Sequence, residues 1–297
     1  MAGQQRVYKQ RIKSTQALKK MFRAQELIAA SRIGKARNRV SMAAPYSRAI
    51  TRAVSAVATH SHVSHPFLAE RTDTDRVAVL VLASDRGMAG AYSASVIRET
   101  ERLVAQLEGR GKKVQLFISG RRAQAYYQFR GRDVEQAWTG HTDAPSTQIA
   151  GEISDELLRR FAADADEGGI AEVHVVYTEF VNMVTQRPRV IRMLPIEIVE
   201  GVAPADEAEA LPLYEFEPDV ATVLDSLLPR YFRSRVFACL LQAAASELAA
   251  RQRAMHTATE NAEDLIRTYT RLANQARQGE ITQEISEIVS GADALAS

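Results

Sequence analysis

Apolar residues recur along the last third of the chain in a strict four-three alternation. Starting at Phe237 it selects Leu241, Ala244, Leu248, Arg251, Met255, Ala258, Ala262, Leu265, Tyr269, Leu272 and Ala276, and only Arg251 is neither apolar nor small. A mean spacing of ~3.5 residues is the repeat of a left-handed coiled coil, whereas an isolated amphipathic helix follows ~3.6. The N-terminal segment has the same repeat: Ala29, Ile33, Ala36, Val40, Ala43, Ser47, Ile50, Val54 and Val57, with Ser47 the one polar position. Upstream the stripe is looser and runs through Leu18, Met21, Phe22 and Ile28. Pro45 falls inside the pattern and predicts a kink or break near Ala43 and Ala44.

Length decides what the two helices do. At ~1.5 Å per residue, a helix from residue 4 to 58 spans roughly 80 Å and one from 219 to 290 roughly 105 Å. If both leave one central domain and run antiparallel, the second overhangs the first by a few turns beyond Ala276. There the seam fails, its next positions being Gly279 and Gln283. Ile281, Ile285, Ile288 and Val289 form a separate apolar face that nothing in the chain covers. Such a face marks an interface, here with another protein.

Between the helices the period changes. "RVAVLVLAS" (Arg76–Ser84) and "VQLFIS" (Val114–Ser119) read as buried strands, with a helix over Ala91–Leu107 between them. A helix near Arg122–Phe129, a loop around Trp138–Pro145 and a helix over Thr147–Ala163 follow. "AEVHVVYTEFVNMV" and "RPRVIRMLPIEIV" predict two strands joined by a turn at Gln186–Pro188. The expected fold is α/β: a long antiparallel coiled coil of N- and C-terminal helices plus a central Rossmann-like open sheet, partly parallel with an antiparallel edge. The predicted segments are residues 1–65, the coiled-coil helix; 72–202, the α/β domain; 203–218, an acidic, proline-containing linker; and 219–297, the second helix and tip.

Charge adds an asymmetry. Residues 1–65 carry thirteen Lys and Arg against one acid, Glu26, leaving −10 on the other 232 residues of a chain whose net charge is +2. A basic arm of this kind predicts an anionic partner, either nucleic acid, acidic lipid or an acidic protein surface. One reading is a nucleic-acid-binding coiled-coil protein, but Tyr8, Phe22 and Tyr46 are the only aromatics in that arm, so stacking platforms are scarce. The single cysteine, Cys239, excludes an internal disulfide and points to a reducing compartment. The start of the chain lacks the apolar run of a secretory signal, and no apolar run approaches membrane-spanning length.

Candidate chemistry is sparse. "SDRGMAG" lies where phosphate loops sit, yet its Gly87 and Gly90 lack the spacing of a dinucleotide fingerprint, and a tight strand-to-helix turn accounts for both. A nucleotide-dependent enzyme would need a real phosphate loop. His60, His62 and His65 cluster without a nearby Cys or carboxylate, so no metal site is expected. Cys239 reads as a packing residue. No catalytic residues and no cofactor are predicted.

Four stretches then carry a resemblance: "RIKSTQALKKMFRAQELIAASRIGKAR" (Arg11–Arg37), "SDRGMAGAYS" (Ser84–Ser93), "YEFEPD" (Tyr214–Asp219) and "ARQGEITQEISEIVSGADAL" (Ala276–Leu295). With the helix–α/β–helix plan, they resemble the gamma subunits of F-type ATP synthases from end to end. The chain departs from that pattern at Ala89, Gly90 and Ala91, where the family shows Cys-Gly-Gly, at Gln25, often methionine, and in a longer Asp164–Gly169.

The resemblance implies a non-catalytic rotor shaft on the cytoplasmic side of the cell membrane, one copy per complex. It implies a ring of alternating alpha and beta subunits around the coiled coil, with the epsilon subunit and the membrane rotor ring of c subunits at the foot, and no nucleic acid. Arg32, Lys35, Arg37 and Arg39 would face acidic beta-subunit loops, and Arg277 and Gln278 would bond to a beta loop. Ile281, Ile285, Ile288 and Val289 would turn in an apolar sleeve. Tyr214, Phe216 and Glu217 would lie near the rotor ring.

Overall fold

The computed structural model describes residues 2–60, 65–196, 217 and 219–296. Its helices are α1 (Ala2–His60), α2 (Tyr92–Glu108), α3 (Arg121–Phe129), α4 (Thr147–Ala162) and α5 (Val220–Ala296). Its strands are β1 (Arg76–Leu82), β2 (Lys113–Ser119), β3 (Gln136–Trp138), β4 (Glu172–Phe180) and β5 (Gln186–Leu194). Packing divides the chain into two compact units, Met1–Ala30 with Arg251–Ser297, and Ser31–Ala250.

In the first unit the segments of α1 and α5 run antiparallel. Tyr8 stacks on Tyr269 with ring centroids 6.5 Å apart, Lys19 pairs with Glu263 at 2.8 Å, and Glu26 meets His256 at 3.1 Å. The α1 seam is Tyr8, Ile12, Thr15, Lys19, Phe22, Glu26 and Ala29; that of α5 is Met255, Thr259, Ala262, Ile266, Tyr269, Ala273 and Ala276. Here the structure corrects the sequence reading, because Leu18, Met21, Ile28 and Leu265 stand 42–47% exposed. Four-three and three-four alternations share every second position, and apolar character alone favours Leu265 over its neighbour Ile266. The polar rungs decide the register. Lys19 and Glu26 can occupy a seam because Glu263 and His256 answer them across it.

The second unit holds one sheet of order β3-β2-β1-β4-β5, parallel except for β5, which is antiparallel to β4. β1 is apolar throughout after Arg76 because both of its faces are covered. On one face Leu80, Leu82, Phe117 and Val175 pack with Ile153, Leu157 and Phe161 of α4 and with Phe232, Val236 and Leu240 of α5. On the other, Val77, Val79, Val81 and Ile118 pack with Val96 and Val104 of α2 and Tyr127 of α3. Within this unit α1 also meets α5 antiparallel, Ile33 and Ala36 near Ala245 and Leu248, and Val54 and Val57 near Leu224 and Leu228.

Three further details differ from expectation. Gln186 and Pro188 belong to β5, and the turn is residues 181–185, where the Asn182 side chain accepts from the N–H groups of Val184 and Thr185. Part of the expected Trp138 loop is the three-residue edge strand β3. Of the kink or break expected near Pro45, the break is absent: α1 continues through Pro45, which sits on an exposed face where the carbonyl it leaves without a donor can bond water.

Candidate functional site

In open α/β sheets a ligand crevice forms at the carboxyl edge, where strand order reverses. Here that point lies between β1 and β4. α5 fills it. β1 pairs with β4 only as far as Val81 opposite Val176, so the inner edge of β4 beyond Val176 needs other hydrogen-bond partners. α5 supplies them: the Phe180 N–H donates to Gln242 Oε1 at 3.1 Å, and Ser246 Oγ donates to the Thr178 carbonyl at 3.0 Å. Tyr92, at the start of α2, donates its hydroxyl to the Ala243 carbonyl at 3.2 Å. Because Thr178 and Phe180 turn their backbone groups to α5, Pro188, paired with Thr178, turns its nitrogen to the outer edge, where no donor is required. α5 is thus bonded to the sheet where an enzyme would hold its ligand.

The "SDRGMAG" loop is a clamp beside this joint. Asp85 accepts the N–H groups of Gly140 at 2.7 Å, Thr142 at 3.1 Å and Arg121 at 3.2 Å, joining the connections that follow β1, β2 and β3. Burial alone would raise its pKa, but these donors outweigh burial and hold the carboxyl below its ordinary range. An ionised carboxylate at the centre of the loop opposes a bound phosphate. Gly120 passes so close to Ala83 that a Cβ would lie 2.5 Å from the carbonyl oxygen, and its φ of +112° also requires glycine.

The other chemical candidates are structural as well. Ser119 Oγ lies 3.2 Å from His141 Nε2, but Ser119 is 1% exposed and Asp85 commits its oxygens to backbone donors. Burial pushes the Cys239 thiol up to about 12. His65 bonds Asp225 at 3.0 Å through Nε2 and accepts the Phe67 N–H through Nδ1. His62 lies outside the described residues. Among the described residues no group of three His, Cys, Asp or Glu could hold a metal ion.

The basic positions lie on α1 within the second unit, and all four are exposed. At ~100° per residue, Arg32, Lys35 and Arg39 share one strip beside the buried Ile33–Ala36 seam, and Arg37 lies on its other flank. Arg32 is ion-paired with Asp143, in the loop before α4. Among the described residues Lys35, Arg37 and Arg39 make no ion pair.

The tip lies in the first unit. Ile281, Ile285, Ile288 and Val289 are 45, 56, 72 and 54% exposed. With Arg277 and Gln278, both exposed, they fall within about a third of the helix circumference. The apolar strip and its polar pair therefore form one face, uncovered by any described residue. Glu217 is exposed, and Tyr214 and Phe216 lie outside the described residues. No helix among the described residues is long and apolar enough to cross a membrane.

A family model described as ATP synthase matches residues 4–295. The chain is 66% identical over 297 residues to the ATP synthase gamma chain of Beutenbergia cavernae, covering 100% of both. It is 59% identical over 297 residues to that of Kineococcus radiotolerans, covering 100% of this chain and 98% of that one. Among solved structures it is similar to a chain of the Euglena gracilis mitochondrial ATP synthase rotor in rotational state 1, with TM-score 0.64 and 15% identity, covering 95% of this chain and 100% of that one. It is also similar to a chain of the Tetrahymena thermophila mitochondrial ATP synthase central stalk/c-ring, with TM-score 0.58 and 18% identity over 80% of this chain and 99% of that one. These two share its fold.

Proposed function

The chain belongs to the ATP synthase gamma-chain family, and from that premise we propose how its surfaces couple rotation to synthesis. It is the central stalk of an F-type ATP synthase, a non-catalytic subunit of a membrane-associated complex. One copy stands inside a hexamer of alpha and beta subunits, with epsilon and the c-subunit rotor ring at its foot, on the cytoplasmic face of the membrane. Proton flow turns the ring and, with it, this chain. The shaft is asymmetric inside a threefold hexamer, so each orientation favours a different conformation at each nucleotide site. Coupling requires that contact free energy differ between orientations.

The observation that carries this reading is the double use of α5. One part is bonded to the sheet through Gln242 and Ser246, and another presents the bare strip Ile281–Val289. A helix held at one place and apolar at another can transmit torque from a foot to a bearing. Apolar contacts at Ile281, Ile285, Ile288 and Val289 let the tip turn because they are non-directional. Arg277 and Gln278 make directional contacts to a beta loop, each charge-assisted bond worth about 1.5–3 kcal/mol. Lys35, Arg37 and Arg39 face acidic beta loops, Arg32 joins them when Asp143 releases it, and Tyr214, Phe216 and Glu217 contact the rotor ring.

The test is charge reversal of Lys35, Arg37 and Arg39 to Glu. These residues are exposed and unpaired among the described residues, so the helical content of the chain stays near wild type. ATP synthesis in membrane vesicles drops through like-charge contact with the acidic beta-subunit loops. Wild-type synthesis in fully assembled triple variants would sink the basic-face assignment.

A further inference from the structure

The seam of the second unit opens around Pro45. Ile33 and Ala36 before it, and Ile50, Val54 and Val57 after it, are buried, but Val40, Ala43 and Ser47 are only half-buried. On α5 the facing stretch, Ser234, Phe237 and Ala238, is half-buried too. Between them lies a cleft of about 730 Å³, closed at one side by Ala150 and Gly151 of α4. That volume suits a single small ligand.

The chemistry of the lining is one-sided. Its floor is aliphatic and aromatic, from Val40, Ala43, Phe237 and Leu241, while its charged groups are Arg48, Arg230 and Arg233, with no acid among the lining residues. Arg233 is held by Asp155 at 2.6 Å. Arg48 and Arg230 are exposed and make no ion pair among the described residues. An apolar slot flanked by two such guanidinium groups fits a ligand with an apolar body and one anionic head.

We propose that this cleft binds a free amphipathic organic acid, such as a medium-chain carboxylate, with its chain on Phe237 and its carboxylate on Arg48 and Arg230. A ligand seated there wedges α1 from α5 at the level where the coiled coil is already open. This goes beyond the stalk function and is independent of it.

The probe is decanoate below its micelle concentration, titrated calorimetrically into the full chain and into the assembled complex. Saturable one-site binding is expected in both. Arg48→Gln with Arg230→Gln should weaken it about tenfold or more, the loss of one to two charge-assisted bonds. Ala238→Phe, which fills the slot, should abolish it, and decanol should bind more weakly than decanoate. Both exposed arginines can be changed without disturbing a packed core, so a folding defect would not confuse that arm. Equal affinity for decanol, or unchanged binding in the slot-filled variant, would overturn the proposal. So would binding to the free chain alone, which would mean that another subunit occupies the cleft.

Discussion

Replacing Gln242 and Ser246 together with Ala tests whether side chains of α5 complete the sheet. Ser246 is fully buried and Thr178 is 4% exposed, so Ser246→Ala leaves a buried carbonyl without its donor, at about 1–3 kcal/mol. Gln242→Ala leaves the partly buried Phe180 N–H unanswered, at about 1–2 kcal/mol. The two sites are neighbours on one strand end, so the double change should cost about 2–4 kcal/mol and not a strict sum. Equilibrium urea unfolding of the full chain measures it. Ser226→Ala is the control, since Ser226 only back-bonds its own helix at an exposed site and should stay within about 0.5 kcal/mol. In vesicles the double variant should lose more synthesis than hydrolysis if, as proposed, α5 takes its torque through its bonds to the sheet. A double variant within about 0.5 kcal/mol of wild type would refute the joint.

Two further outcomes follow from the packing and charge of the two units. Met255→Ala should destabilise by about 2–4 kcal/mol and Leu265→Ala by well under 1; similar losses for both would restore the register that apolar pattern alone selects. Acidification should destabilise the chain in two stages. Burial lowers the pKa of His174, so stability falls as the unfolded chain takes up protons below the ordinary 6.5. Donors outweigh burial at Asp85, and His174 and Lys112 do so at Glu172; the stability those carboxylates give is complete above ordinary values of 3.8 and 4.5 and is lost as pH falls through their lower folded values. His174→Gln should remove the first stage in pH-dependent urea midpoints; its persistence would show that another group titrates.

The central sheet is legible because strands covered on both faces must be apolar runs, as β1 is after Arg76 and β2 is over Leu116–Ile118. β3 is not: three residues on an edge carry no period. The two long helices were legible from their repeat, but not the register of the first unit, since the polar rungs Lys19 and Glu26 become seam residues only through Glu263 and His256, more than two hundred positions away. The resemblance sets Arg32 toward acidic beta-subunit loops; its ion pair with Asp143, more than a hundred positions away, leaves no trace in spacing. The joint did leave a trace. Gln242 and Ser246, four apart in the otherwise apolar run Val236–Ala245 and its end, are polar groups whose burial requires partners. Which partners they take depends on β1 ending before β4, which no local pattern records.

The most direct test of the stalk assignment is to watch the α/β domain turn. Phe129, at the end of α3, is 90% exposed, so Phe129→Cys offers an attachment point, while Cys239 is 5% exposed with its thiol pushed up to about 12 and stays unreactive near neutral pH. A bead fixed to Cys at 129 is followed in complexes whose catalytic ring is immobilised, with ATP supplied. The bead should rotate in one direction while ATP is hydrolysed and stop when it is exhausted. A bead that stays still while the same complexes hydrolyse ATP would contradict the account.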